Sequence, residues 1–314
     1  MNKIDNIGRV KIAFFIVAFL AMVLFLRQSW DFRTFDVVKV SFIPLFLSAL
    51  LIIVQYFFLS YLSFRLTDYS QSLKYMDFSC IYFITQLGRY IPGKIWMVLS
   101  KIKFLGDAGF SKSWVALVSV LEILLVMSSA AVFLGILSLL DPLNKNSYIP
   151  QSVMILIGVA GLIFLVGFRF LWQQTLNLLQ RWIRRIRFDD ISYPYKTGDI
   201  PLISMGFIFI WLIQGAAFYF LVSSVADPAE NAIYVYSIYP IAWILGFLSI
   251  FAPSGFGVRE GIIVFMLLQI MSPTEASCIA IAARLGIVVL ELGVSLIFLP
   301  RFMALKAVQK PVLG

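Results

Sequence analysis

Apolar runs of membrane-crossing length return along this chain at short intervals, each closed by a polar or charged segment. They are Ile12–Leu26, Val40–Phe64, Trp114–Leu140, Ser152–Trp172, Pro201–Ala226, Ala232–Phe251 and Ala276–Leu299. A bilayer core is crossed by about 20 residues of α-helix, a conformation that satisfies its backbone hydrogen bonds internally. Of the 314 residues 61% are hydrophobic and 13% charged, against about a quarter charged in a soluble domain. The chain therefore reads as one all-α transmembrane domain over residues 1–314. The expected form is a polytopic integral membrane protein of about eight transmembrane helices, with at least one re-entrant broken helix.

Charge sets the expected topology. Basic residues gather before Ile12, at Lys101, Lys103 and Lys112, across Arg181–Arg187 and from Arg301 to Lys310, whereas the Asp227–Glu230 turn is acidic. The positive-inside rule then puts both termini on the cytoplasmic side of a bacterial-type inner membrane. It requires Phe78–Leu99 to enter and leave on one side, and two crossings between Phe251 and Leu299, unless Ser254–Met271 is itself re-entrant. The first apolar run ends in Arg27-Gln-Ser-Trp-Asp31 with no small-residue cleavage site, so it reads as an uncleaved span. Arg181–Arg187 reads as a positive-inside loop in preference to an amphipathic surface helix. The net charge of +9 is spread between apolar runs, which suits anionic headgroups and not nucleic acid. There is no histidine, and Cys80 and Cys278 lie within apolar runs, which excludes a Cys/His zinc site. No metal or cofactor is expected.

Two stretches break the pattern. Phe251-Ala-Pro-Ser-Gly-Phe-Gly-Val-Arg-Glu-Gly261 places the breakers Pro253, Gly255, Gly257 and Gly261 beside full charges, between apolar runs. Gln86-Leu-Gly-Arg-Tyr-Ile-Pro-Gly-Lys-Ile-Trp96 repeats the recipe with Pro92, Gly93, Arg89 and Lys94. Non-helical backbone and charge persist at membrane depth only inside protein or beside a wet cavity. Paired interrupted segments in the two halves of a chain mark a binding path in transporters.

Segments 86–96 and 251–261 resemble the signature blocks of the flippase-like, lysylphosphatidylglycerol-synthase transmembrane family. Leu121-Glu122 and Ala283-Arg284-Leu285 are similar to further positions of that family, and the resemblance spans roughly Ile12 to Leu299. Many relatives carry Gly-Glu where Ile95-Trp96 stand. The resemblance implies lipid transport between leaflets in the cell envelope. Relatives that synthesise lysylphosphatidylglycerol carry an aminoacyltransferase domain after this region; the chain given stops at Gly314, so synthase activity is not expected.

The intramembrane charges supply candidate site residues. Glu122 is the one charge in Trp114–Leu140, and Arg284 and Glu291 share the last run. Seven residues put those two on one face but about 10 Å apart, so each needs a partner elsewhere. The candidate substrate-binding set is Arg89, Lys94, Glu122, Arg259, Glu260 and Arg284. With Glu291 these make four cations and three anions, a surplus that suits a phosphate held in an arginine fork. The plainer alternative is a set of helix-to-helix pairs without ligand. Glu291, remote from any breaker, reads that way, and for Arg259 the alternative partner is a carboxylate such as Glu122 or Glu291.

The expected activity is that of a flippase or transporter moving a phosphate-bearing lipid, or a polyprenyl-linked glycan precursor, between leaflets; an enzyme is not expected. The expected partners are membrane lipids, anionic or polyprenyl-phosphate-linked, and a second copy or an envelope-biosynthesis enzyme. Two other classes compete: an integral-membrane transferase acting on a polyprenyl phosphate, and a non-catalytic partner of a glycan-assembly enzyme. Dispersed carboxylates without an Asp-rich pair speak against the transferase. No Gly-x-x-x-x-Gly-Lys-Ser/Thr motif is present, so any pumping must draw on an ion or lipid gradient.

Overall fold

The computed structural model describes residues 40–67, 73–91, 95–140, 149–182, 199–249 and 255–308. These residues form helices and connecting turns, with no strand among them. In chain order the α-helices are α1 (Phe42–Thr67), α2 (Tyr75–Gln86), α3 (Trp96–Asp107), α4 (Lys112–Leu140), α5 (Gln151–Trp182), α6 (Asp199–Ser223), α7 (Ala232–Leu248), α8 (Val258–Leu267) and α9 (Pro273–Val308). A 3-10 turn, Leu87–Tyr90, follows α2, and another, Ala229–Asn231, precedes α7. Five segments are long and apolar enough to cross a bilayer: Phe42–Thr67, Lys112–Leu140, Leu202–Ser223, Ala229–Leu248 and Pro273–Lys306. A shorter apolar stretch, Gln151–Gly167, opens α5. The chain is an all-α polytopic membrane protein. Its outer surface agrees, since large apolar side chains such as Phe42, Phe46, Leu156, Ile163 and Ile297 stand exposed where a soluble protein would carry charge.

Short contacts order the ends of the bundle. At one end Ser41 N donates to Ser224 O (2.8 Å), Gln151 Nε2 to Ser138 O (3.0 Å) and Tyr234 Oη to Met266 O (2.8 Å). Here lie the start of α1, α5 and α7 and the finish of α4, α6 and α8. At the other end Trp114 Nε1 donates to Thr67 O (2.8 Å), Asp77 pairs with Arg301 (2.8 Å) and the Phe104 and Phe302 rings meet at 5.0 Å. Arg65, Lys74, Lys103, Lys112, Arg301 and Lys306 lie toward this second end, and Asp227, Glu230 and Glu275 toward the first.

Two hairpins enter this frame from opposite ends. Asp77 near the start of α2 and Phe104 near the finish of α3 both lie against the C-terminal part of α9, so the α2–α3 hairpin begins and ends at the basic end. Each arm has 12 residues, about 18 Å of helix, short of a crossing. Two such arms, both anchored at one end, fit the re-entrant form expected of this segment. Hydrogen bonds hold its first arm: Ser60 Oγ to Ser79 Oγ (3.1 Å) from α1, and Ser295 Oγ to Phe83 O (3.2 Å) from α9. Such serines tie helices where water is excluded.

The second hairpin, α7–α8, starts and finishes at the acidic end. Its return arm has 10 residues, about 15 Å. Among the described residues from 255 to 299 only α9 is long enough to cross, where the charge pattern implies two crossings, and residues 255–271 fit the re-entrant alternative. Gly261 is no breaker: it lies inside α8 and its N–H donates to Gly257 O at 3.0 Å. A helix accommodates one such glycine at about 1 kcal/mol. The break falls instead at Gly255 and Gly257, with φ of 71° and 81°. Pro92, Gly93, Lys94, Pro253, the Ile12–Leu26 run and residues 183–187 of the arginine cluster lie outside the described residues.

Candidate functional site

The tips of the two hairpins meet on Arg284, the twelfth of the 36 residues of α9. Its guanidinium carbon lies 5.8 Å from the centre of the Tyr90 ring, from the first tip, and 5.7 Å from that of Phe256, from the second. Beside this junction a cavity of about 260 Å³ opens between α1, α2, α3, α4, α6, α7, α8 and α9. Arg89, Glu122, Arg259 and Arg284 line it, as do Lys101 and Glu291. Glu260 lies behind Arg284, in a smaller recess.

Three buried ion pairs cross between elements. Arg89 Nη1 meets Glu291 Oε1 at 3.0 Å, with Tyr90 Oη donating to the other carboxylate oxygen and Gln86 Oε1 accepting from Arg89. Lys101 Nζ meets Glu122 Oε2 at 2.7 Å. Arg284 Nε meets Glu260 Oε1 at 3.4 Å, while Glu260 Oε2 accepts from Gly257 N (2.7 Å) at the start of α8. The spacing argument for Arg284 and Glu291 has this outcome: each finds its partner on another element.

Arg259 stands apart. Among the described residues no carboxylate pairs with it, and its buried Nε has no hydrogen-bond partner. It does not pair with Glu122 or Glu291, which Lys101 and Arg89 already hold. Its guanidinium lies 5.5 Å from the centre of the Trp243 ring, and Trp243 in turn packs against Trp211 and Phe247. Two glycines seat its stem: a Cβ on Gly246 would collide with Arg259 Cγ, and one on Gly255 would come within 3.0 Å of Nε. The positive φ at Gly255 also suits no other residue well. Among the described residues four cations, Arg89, Lys101, Arg259 and Arg284, thus stand against Glu122, Glu260 and Glu291, leaving one positive charge, and it sits on Arg259.

No family model and no curated protein matches this chain. The likeness to the flippase-like family is carried by the sequence alone, at segments 86–96 and 251–261, Leu121-Glu122 and Ala283-Arg284-Leu285. The described residues of the two segments lie at the hairpin tips beside one cavity.

Lys101 was grouped by sequence with Lys103 and Lys112 as a basic connector, and here the structure corrects the reading. It lies within α3, 3% exposed, and reaches inward to Glu122. Its spacing offers a faint signal: Leu105, four residues on, is buried on the same face. Tyr82, Tyr90, Gly246 and Trp243 were also passed over, because aromatics and glycines are common in membrane helices for reasons unrelated to ligands.

Proposed function

We propose that the chain carries a phosphate-bearing lipid headgroup across an inner membrane of bacterial type, with the basic end of the bundle cytoplasmic and the acidic end outside. The observation that supports this most is Arg259: a cation among apolar helices, without a carboxylate partner among the described residues, facing a cavity beside two hairpin tips. An unpaired buried charge is costly, and a bound anion relieves that cost. A planar guanidinium suits phosphate in particular, by two parallel hydrogen bonds. The volume, just below that of common ligand sites of roughly 300–1,000 Å³, fits a headgroup whose acyl or polyprenyl chains stay in lipid. Such a path agrees with the family likeness. The three carboxylates at the site each answer a cation and come from three different elements, which favours carriage over a metal-dependent transferase.

The test is leaflet exchange in vesicles holding the purified protein, with labelled phospholipids and a labelled polyprenyl phosphate as probes. The expected result is faster exchange of at least one phosphate lipid than in empty vesicles, lost in Arg259→Gln. Exchange no faster than in empty vesicles for every probe would overturn the proposal.

A further inference from the structure

Of the three buried pairs, Lys101–Glu122 is the one in which both members can change protonation state; arginine keeps its proton throughout. We infer that this pair is a proton-binding site that couples anion binding in the cavity to proton uptake. The inference rests on the reading of the cavity as an anion site.

The surroundings of Glu122 suit both states. Oε2 accepts from Lys101 Nζ (2.7 Å) and from Ser63 Oγ (2.8 Å), and Oε1 from Tyr82 Oη (3.2 Å). Ser63 Oγ also accepts from Lys101 Nζ, at 2.8 Å. Hydroxyls donate or accept as required, so a protonated Glu122 can give its new O–H to Ser63 or Tyr82 without stranding a group. Lys101 has a second resting place on the face of Tyr82, whose ring centre is 5.5 Å from Nζ, and both members of the pair line the cavity.

Other titratable, charged and amide groups face the same cavity from the surrounding elements. From α1 Tyr56 lines the same cavity, and from α2 Gln86. The first tip contributes Arg89 and Tyr90, α6 Gln214, α7 Tyr239, α8 Arg259, and α9 Arg284 and Glu291. The part of α5 over residues 151–167 carries no ionisable side chain. A proton from cavity water that joins the Glu122 carboxylate leaves Lys101 charged and without its anion. The cavity then holds two surplus positive charges, on Lys101 and Arg259, instead of one. Proton and anion each favour the other, and the linkage is reciprocal. A monoanionic headgroup would be taken up with one proton.

The full chain in phosphatidylcholine nanodiscs, with dihexanoyl phosphatidylglycerol as probe, tests this. That phosphodiester keeps a single charge through the neutral range, so it contributes no proton of its own. Tryptophan fluorescence reads binding, a dye in weak buffer reads protons, and infrared difference spectra read the carboxyl group. The expected result is about one proton taken up per probe bound, with Kd rising by up to about tenfold per pH unit as pH increases. A protonated-carboxyl band should accompany binding and vanish in the double variant Lys101→Gln/Glu122→Gln, which removes both charges and strands neither. Binding without proton uptake, at a Kd independent of pH, overturns the coupling and leaves the anion reading standing. A carboxyl band that survives in the double variant overturns the assignment to Glu122. Absence of binding overturns the anion reading and the coupling with it.

Discussion

Arg259 is seated by two glycines and an indole face where a buried arginine usually has an acid. That arrangement holds the guanidinium in place while leaving its hydrogen-bonding edge available. Arg259→Lys keeps the charge and loses the fork, so lipid exchange should fall clearly with protein abundance unchanged; Arg259→Gln should lower it further. No acid among the described residues depends on Arg259, so a large loss of thermal stability in Arg259→Gln would contradict its isolation. Gly246→Ala drives a methyl group into the Arg259 stem. It should lower exchange nearly as much as Arg259→Gln, read in the same vesicles. Glu291 behaves differently, because its removal strands Arg89. Glu291→Gln should cost about 3 kcal/mol, seen as a lowered Tm, and Arg89→Gln added to it should restore most of the loss. The charges Arg89, Glu122, Arg259 and Arg284 were legible from sequence because full charges inside apolar runs are rare and expensive. Lys101 was not, because it stands within two residues of Lys103 and near a loop, where lysine is ordinary. Gly246 was not legible at all, since a close approach between α7 and Arg259 exists only once the chain is folded.

The elements of this bundle divide into helices of crossing length and the shorter arms α2, α3 and α8. The α2–α3 hairpin was legible: Pro92-Gly93 interrupts an apolar run, and the charge pattern needs both ends of the run on one side. Cysteines at Lys74 and Asp107, exposed residues beside its two ends, should be labelled by an impermeant reagent from the same face of the membrane. Labelling from opposite faces would convert the hairpin into a crossing. The α7–α8 hairpin was half legible. Its breakers were evident, but Ile262–Ile270 was open to two readings, a crossing or a re-entrant leg, because hydropathy does not distinguish a short spanning helix from a buried half-helix. Length decides: α8 has 10 residues, and its Glu260 side chain is spent on its own first turn and on Arg284.

For the whole molecule, the gathering of basic residues at one of the two ends carries the orientation. A cysteine at Ala229 should react with an impermeant reagent applied outside intact cells, and one at Lys112 should be protected until the membrane is opened. The reverse pattern would invert the bundle, and with it the direction from which each hairpin reaches the cavity. The all-helical membrane class was legible from hydropathy alone, since the bilayer permits few backbone conformations. The meeting of two hairpins on one residue was not, because segments 86–96 and 251–261 are separated by more than 150 residues of chain.

Arg284 touches both tips at once, the Tyr90 ring on one side and the Phe256 ring on the other, while its charge is tied to Glu260. Withdrawing either tip alone still leaves the arginine covered by the other. Were both withdrawn, the cation would be uncovered on two sides. Under the proposed lipid carriage this shared contact would serve as an interlock, as in an airlock whose doors share one bolt. A headgroup could then pass while the membrane stayed sealed to small ions, and a cell could carry many copies of the protein without short-circuiting its own membrane potential.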